Sequence, residues 1–178
     1  MIDVDGYRLN VGIILSNRDN KLLWARRIGQ DAWQFPQGGI MKGEAPKEAL
    51  IRELYEEVGL TEKDITLLGT TQNWLRYDLP ERLIRHGKKP LCVGQKQIWY
   101  MLRINSHDNN IKLDASDNPE FDGWDWVDYW HPLTQVVDFK YDVYKAALCE
   151  LAPLLFGEDY DVYSNLKAEV REQKKLGA

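Results

Sequence analysis

GGIMKGEAPKEALIRELYEEVGL, residues 38–60, puts a glycine turn, a helix and three closely spaced glutamates into one short run. Wound at 3.6 residues per turn, Glu53, Glu56 and Glu57 fall at i, i+3 and i+4 and share one side of the helix. Leu50, Ile51, Leu54 and Val58 lie on a neighbouring arc that reads as the face pressed into a core. Ala49 stands one turn before Glu53 on the carboxylate side, where a small side chain leaves room for something to approach. Pro46 suits the first turn, and Gly59 the left-handed residue that ends the helix. Three like charges at these spacings repel, by roughly a few tenths of a kcal/mol per pair in an isolated helix. A hard divalent cation would turn that cost into a gain, because carboxylate oxygens are what Mg²⁺ or Mn²⁺ prefers. The turn Gln37-Gly38-Gly39 lets backbone come close to a charged ligand. Arg52, four residues from both Glu48 and Glu56, reads as a group that holds Glu56 in place. For three glutamates on an arbitrary helix, a solvated charged face is the alternative.

The order of the whole stretch decides between the two. Gly38, Glu44, Arg52, Glu53, Leu54, Glu56, Glu57, Gly59 and Leu60 match every defined position of the Nudix hydrolase signature. Seven of these are fixed identities, and at about one in fifteen each, chance agreement is on the order of 10⁻⁸ per start position.

At 178 residues with 44% hydrophobic and 29% charged residues, the chain suits one soluble domain with a substantial core. A Nudix domain over residues 1–156 and a polar tail over 157–178, helical or disordered, are the expected divisions. The first ten residues carry acids and no apolar core, and no run approaches 18 apolar residues, so neither a signal peptide nor a membrane span is expected. The cytoplasm is the default location. Cys92 and Cys149 match no metal-ligand spacing and read as reduced, partly buried small hydrophobes. A net charge of −5 argues against coating long nucleic acid, yet leaves room for a local basic pocket.

Residues 10–15 and 22–25 read as two strands joined by a polar turn, with Gly12 a site of close approach. Residues 33–36 form a short extended piece leading to the glycine turn. Strands are expected at 65–71, 97–104 and 124–127. Residues 73–85, NWLRYDLPERLIR, interleave aromatic and basic side chains. That mixture suits stacking on bases and pairing with phosphates, but Trp74 and Tyr77 fit a core equally well. Residues 86–90 continue it as a basic loop. Helical spacing covers residues 141–155, with Pro153 interrupting or bending the last turn.

Outside the signature, DGYRLNVGIIL, WARR, WQFPQGGI, NWLRYDLPERLIR, VGQKQIWYML, PEFDGWDWV and VVDFKYDVY resemble the bacterial RNA pyrophosphohydrolases over residues 1–155. The resemblance implies an α/β Nudix fold, a mixed β-sheet sandwiched between α-helices. It implies removal of pyrophosphate or phosphate from the 5′ end of tri- or diphosphorylated RNA, with Mg²⁺ (or Mn²⁺) held by Glu53, Glu56 and Glu57. Glu120 would approach from its loop as a further ligand or as the base, and Arg52 belongs to the catalytic set. Arg27 would lie against a base, Val137 and Phe139 would line the adjacent cleft, and Arg8, Gln95 and Lys140 would contact phosphate or base near Gly38 and Gly39. The resemblance further suggests a monomer and diaminopimelate epimerase as an activating partner. Hydrolysis of dinucleoside polyphosphates, such as diadenosine tetra- or pentaphosphate, and a turnover-free RNA-end-binding module are the rival readings.

Overall fold

The computed structural model describes residues 1–162 and 164–166. Its strands are β1 (Tyr7–Ser16), β2 (Leu22–Arg27), β3 (Trp33–Gln34), β4 (Gln37–Gly39), β5 (Ile65–Thr70), β6 (Leu75–Asp78), β7 (Gly94–Ile104) and β8 (Phe121–Val127). Its helices are α1 (Pro46–Val58), α2 (Pro132–Gln135), α3 (Asp138–Leu151) and α4 (Pro153–Phe156). The sheet runs β3-β2-β1-β7-β5, with β4 beside β1, β6 beside β7 and β8 beside β2. β1 and β7 are parallel from Tyr7 opposite Gly94 to Ser16 opposite Arg103, and the other pairings are antiparallel. The sheet is therefore mixed, as expected.

Alternation along the strands divides the core in two. On one face Ile14, Leu22, Trp24, Phe35, Trp99 and Met101 pack against Tyr144, Ala147 and Leu148 of α3. On the other, Val11, Ile13, Leu15 and Leu102 pack under Leu50, Leu54 and Val58 of α1. Gly12 is the close approach foreseen: the indole of Trp99 occupies the space a side chain would need. Ring contacts lock the α3 side, with Phe35 stacked on Tyr144 at 5.2 Å and Trp99 edge-on to Tyr144 at 5.0 Å.

Ala49 departs from expectation. It is fully buried in the α1-side core, so its small side chain lets the helix come close to the sheet and opens nothing to a ligand. Gly59 ends α1 at φ 71°, its N–H donating to Tyr55 O at 2.9 Å. A Cβ there would also stand 2.9 Å from Lys112 Cβ and O. Gly59→Ala should therefore cost about 1–2 kcal/mol of stability, read from the urea midpoint, with turnover per folded molecule unchanged.

α3 starts at Asp138, earlier than periodicity alone indicates, and Pro153 closes it and opens α4. Of the aromatics of residues 73–85, Tyr77 is buried on the α3 side and also lines the main cavity described below, and Trp74 packs, partly buried, against the α1 side. Cys92 and Cys149 are free, half-buried thiols. Of the expected tail, Tyr160 stacks on Phe156 at 4.4 Å and accepts from Trp130 Nε1 at 3.1 Å, and Leu166 is buried. Residues 167–178 lie outside the described residues. Among the described residues no helix is long and apolar enough to cross a membrane.

Candidate active site

β4 pairs with β1, Gly38 opposite Val11 and Gly39 opposite Asn10, and this register brings the glycine turn under α1. Gly38 then faces Glu53 so closely that a Cβ would coincide with the carboxylate, and a Cβ on Gly39 would run into the Arg8 guanidinium. Arg52 ties the unit together. Its Nε donates to Glu44 Oε1 at 2.7 Å, Nη2 to Glu44 Oε2 and to Gly39 O, both at 2.9 Å, and Nη1 to Glu53 Oε1 at 2.6 Å and Glu56 Oε2 at 3.2 Å. The fork-on-carboxylate geometry is one only arginine supplies. Arg52 thus holds Glu56, as its spacing indicated, but its principal partner is Glu44, eight residues earlier. Glu48 instead accepts from Ala45 N at 2.8 Å and closes the helix start.

Arg52 holds the Glu44 carboxyl below the usual range, and Glu44 in turn raises Arg52. Glu53 and Glu57 go the other way. Burial pushes Glu53 up, opposed by Arg52 and reinforced by Glu56 and Glu120. Glu57, only 3% exposed, is raised well above the usual range by burial, then by Glu120 and Glu53, against the backbone N–H of Gln37 that donates to its Oε2 at 2.7 Å. Glu57 Oε1 is buried with no hydrogen-bond partner among the described residues. Among the described residues no three acidic or imidazole side chains form a closed metal cage: Arg52 draws Glu53 and Glu56 to itself, and Glu57 faces Gln37. An all-oxygen donor set with excess negative charge and an orphaned buried oxygen fits a hard cation.

A cavity of about 790 Å³ opens beside these groups, lined by Arg8, Arg27, Gly38, Gly39, Gln95, Phe139 and Lys140 together with Glu53, Glu56 and Glu120. Glu57 lines an adjoining space with Glu53, Glu56, Asp117, Asn118 and Glu120. Val137 stands outside the main cavity, in a neighbouring cleft that shares Arg27, Phe139 and Lys140 with it. The residues singled out from sequence therefore meet around one region. A larger cleft of about 870 Å³ lies between Asn17–Asp19 and the 104–110 segment, at the opposite end of β1, and contains none of them.

Lys140 is buried, with no carboxylate partner among the described residues. Its Nζ donates to Gln34 Oε1 at 3.0 Å and Gln37 Oε1 at 3.4 Å and stands 5.8 Å from the Tyr77 ring centre. Burial, then Arg27, lowers its ammonium to about 8, against the pull of Glu57 and Glu120. Bound phosphate should raise it again. Sulfate, which carries no titrating proton in this range, can stand in for phosphate: through Lys140 its binding should take up about half a proton at pH 8 and almost none at pH 6. Calorimetry in two buffers of different ionisation enthalpy reads this, and Lys140→Met should abolish it.

Several polar residues in this floor escaped sequence reasoning. Gln97, fully buried, donates to Asn10 Oδ1 at 2.7 Å and to Gln37 Oε1 at 3.4 Å, and Gln37 Nε2 donates to Gln95 Oε1 at 3.5 Å. The available signal was alternation: Gln95 and Gln97 stand two apart on β7 and face one way.

The family model described as NUDIX domain matches residues 6–147. A protein from Marinomonas sp. (strain MWYL1), named RNA pyrophosphohydrolase, is 61% identical over 153 residues, covering 86% of this chain and 95% of that protein. One of the same name from Proteus mirabilis (strain HI4320) is 57% identical over 155 residues, 87% of this chain and 88% of that one. Among solved structures, the E. coli dihydroneopterin triphosphate pyrophosphohydrolase superposes with a TM-score of 0.61 at 19% identity, covering 79% of this chain and 95% of that one. A C. elegans Ap4A hydrolase binary complex gives 0.60 at 17% identity, covering 84% and 98%. Those two likenesses establish the fold; the two close relatives, matched nearly end to end, place the chain in the RNA pyrophosphohydrolase family of the Nudix hydrolases.

Proposed function

We propose that the chain removes pyrophosphate or phosphate from the 5′ end of tri- or diphosphorylated RNA, leaving a 5′-monophosphate and so promoting mRNA decay. The carrying observation is the juxtaposition in one cavity of the glutamates with Arg8, Arg27 and Lys140, cations that have no carboxylate partner among the described residues. Nudix hydrolases generally require a divalent cation. Here Glu53, Glu56, Glu57 and Glu120 would hold it, with Mg²⁺ first and Mn²⁺ second by oxygen preference. When bound, the cation supplies charge neutralisation on phosphate oxygens and a more acidic water.

The chain's own residues do the rest. Arg52 fixes Glu53 and Glu56, and the Gln37 N–H fixes Glu57, so the carboxylates are oriented before substrate arrives. Arg8 and Lys140 stand where the leading phosphates would lie, with Gln95 beside them and the open backbone of Gly38 and Gly39 below. Arg27, whose buried Nε lacks a partner, would lie against a base, with Phe139 and Val137 as the apolar wall. The resemblance extends the reading to a cytoplasmic monomer with diaminopimelate epimerase as an activator.

The test is a side-by-side turnover assay with Mg²⁺ on 5′-triphosphorylated RNA, 5′-diphosphorylated RNA and diadenosine tetraphosphate, with Glu53→Gln as control. Faster conversion of the RNA ends is expected. A faster dinucleotide would overturn the substrate assignment, and silence on all three would leave a binding module.

A further inference from the structure

We infer that Arg82 and Arg85 clamp the phosphodiester backbone beyond the second nucleotide of the RNA, an assignment that rests on the RNA reading above. The cleft beside the main cavity, about 460 Å³, shares Arg27, Gln34, Leu83, Arg85, Phe139 and Lys140 with it. A ligand leaving the glutamates through this opening meets Arg85, which borders both spaces, and then Arg82, which borders only the outer one.

Among the described residues no aspartate or glutamate lines that cleft, although the chain as a whole carries a net charge of −5. Arg26 pairs with Asp122 at 2.7 Å and Arg52 with Glu44 at 2.7 Å, whereas Arg8 and Arg27 of the main cavity have no carboxylate partner among the described residues. Arg82 and Arg85 have no carboxylate partner among the described residues, and the one acid beside them, Glu81, is held by His86 at 2.8 Å. The backbone that presents them is braced. Leu83 N donates to Pro80 O at 2.7 Å, Ile84 N to Glu81 O at 3.1 Å, and Leu79 N to Val93 O at 2.8 Å. Two guanidinium groups with no carboxylate partner among the described residues, one bordering both spaces and one only the outer, stand on a braced turn and suit successive phosphates of a single strand. A dinucleoside polyphosphate has no phosphate beyond its second nucleoside to offer them.

Binding separates this from the turnover reading. A 5′-monophosphorylated single-stranded octanucleotide and the matching dinucleotide are titrated at 50–200 mM salt against the wild type, Arg82→Ala/Arg85→Ala and Arg82→Lys/Arg85→Lys. For the octanucleotide, loss of two contacts should make the dependence of log Kd on log salt shallower by about 1.4 in the alanine variant. Over that fourfold range the wild type then loses about sevenfold more affinity than the variant. The lysine variant should keep the wild-type slope, and the dinucleotide slope should not change. An unchanged octanucleotide slope, or an equal fall on the dinucleotide, overturns the clamp; the second outcome would place the arginines at the 5′ phosphate. Octanucleotide binding with the expected slopes but no turnover on 5′-triphosphorylated RNA would sink the hydrolytic reading and leave the clamp standing.

Discussion

Gly38→Ala should lower kcat about a hundredfold while leaving the chain folded. The added methyl would coincide with the Glu53 carboxylate, so Glu53 has to swing off its 2.6 Å bond to Arg52. A displacement of roughly 1 Å at a catalytic group costs on the order of 10²-fold. Overfilling the same space should cost about 1–3 kcal/mol of stability. A second variant separates the two effects. Adding Glu53→Asp shortens the side chain in the methyl's way, so the double variant should regain stability over Gly38→Ala without regaining turnover, a coupling that a double-mutant cycle measures. Wild-type kcat in Gly38→Ala would mean that Glu53 does not act where it stands.

The second large effect is expected at Glu57 and has two signs. Glu57→Gln should lower kcat by about 10²–10³-fold, as loss of one preorganised charged group does. It should also stabilise the metal-free protein by about 1 kcal/mol, because the amide keeps an acceptor for the Gln37 N–H and removes a buried charge. The pH dependence follows from the upward shift. A carboxyl raised on folding contributes stability that is fully present below its unfolded value and is lost as pH rises through its folded value. Metal-free wild type should therefore lose more stability than Glu57→Gln on going from pH 5 to pH 8. Added Mg²⁺ should raise the wild-type Tm and raise that of the variant less. A lower Tm for metal-free Glu57→Gln at pH 8 would contradict the account of Glu57 as a destabilising charge.

The legible parts of the molecule are those whose signals are local. α1 announced itself through apolar spacing, a proline at its start and Gly59 at its end, and its glutamates needed only the helical period to be grouped. The aliphatic runs of β1 and β7 were equally plain. Their parallel pairing was not, because register between segments far apart in sequence depends on which faces both must bury. That register is why spacing in the sequence could not group Arg8, Gln95 and Lys140: Arg8 and Gln95 are Cα partners across β1 and β7, and the first turn of α3 lays Lys140 over the same floor. The Glu44 partnership of Arg52 escaped for a similar reason, since a loop and not a helical turn brings them together. Ala49 was misplaced because its neighbour in space is the sheet, and helical spacing says nothing of how close the sheet comes. Gln34, Gln37, Asn10 and Gln97 form a hydrogen-bonded floor only when four strands are assembled.

The parallel pair also sets an order of events in biosynthesis. Tyr7 meets Gly94, so pairing β1 with β7 closes a loop of roughly ninety residues, at an entropic cost of about 4 kcal/mol before any contact offsets it. α1 and its glutamates lie wholly inside that loop. A nascent chain can wind α1 early, but it has no floor beneath it until β7 has left the ribosome, and no Lys140 until later still. Acquisition of activity is thus tied to completion of this long-range pairing, and refolding should recover turnover only as fast as that long loop closes.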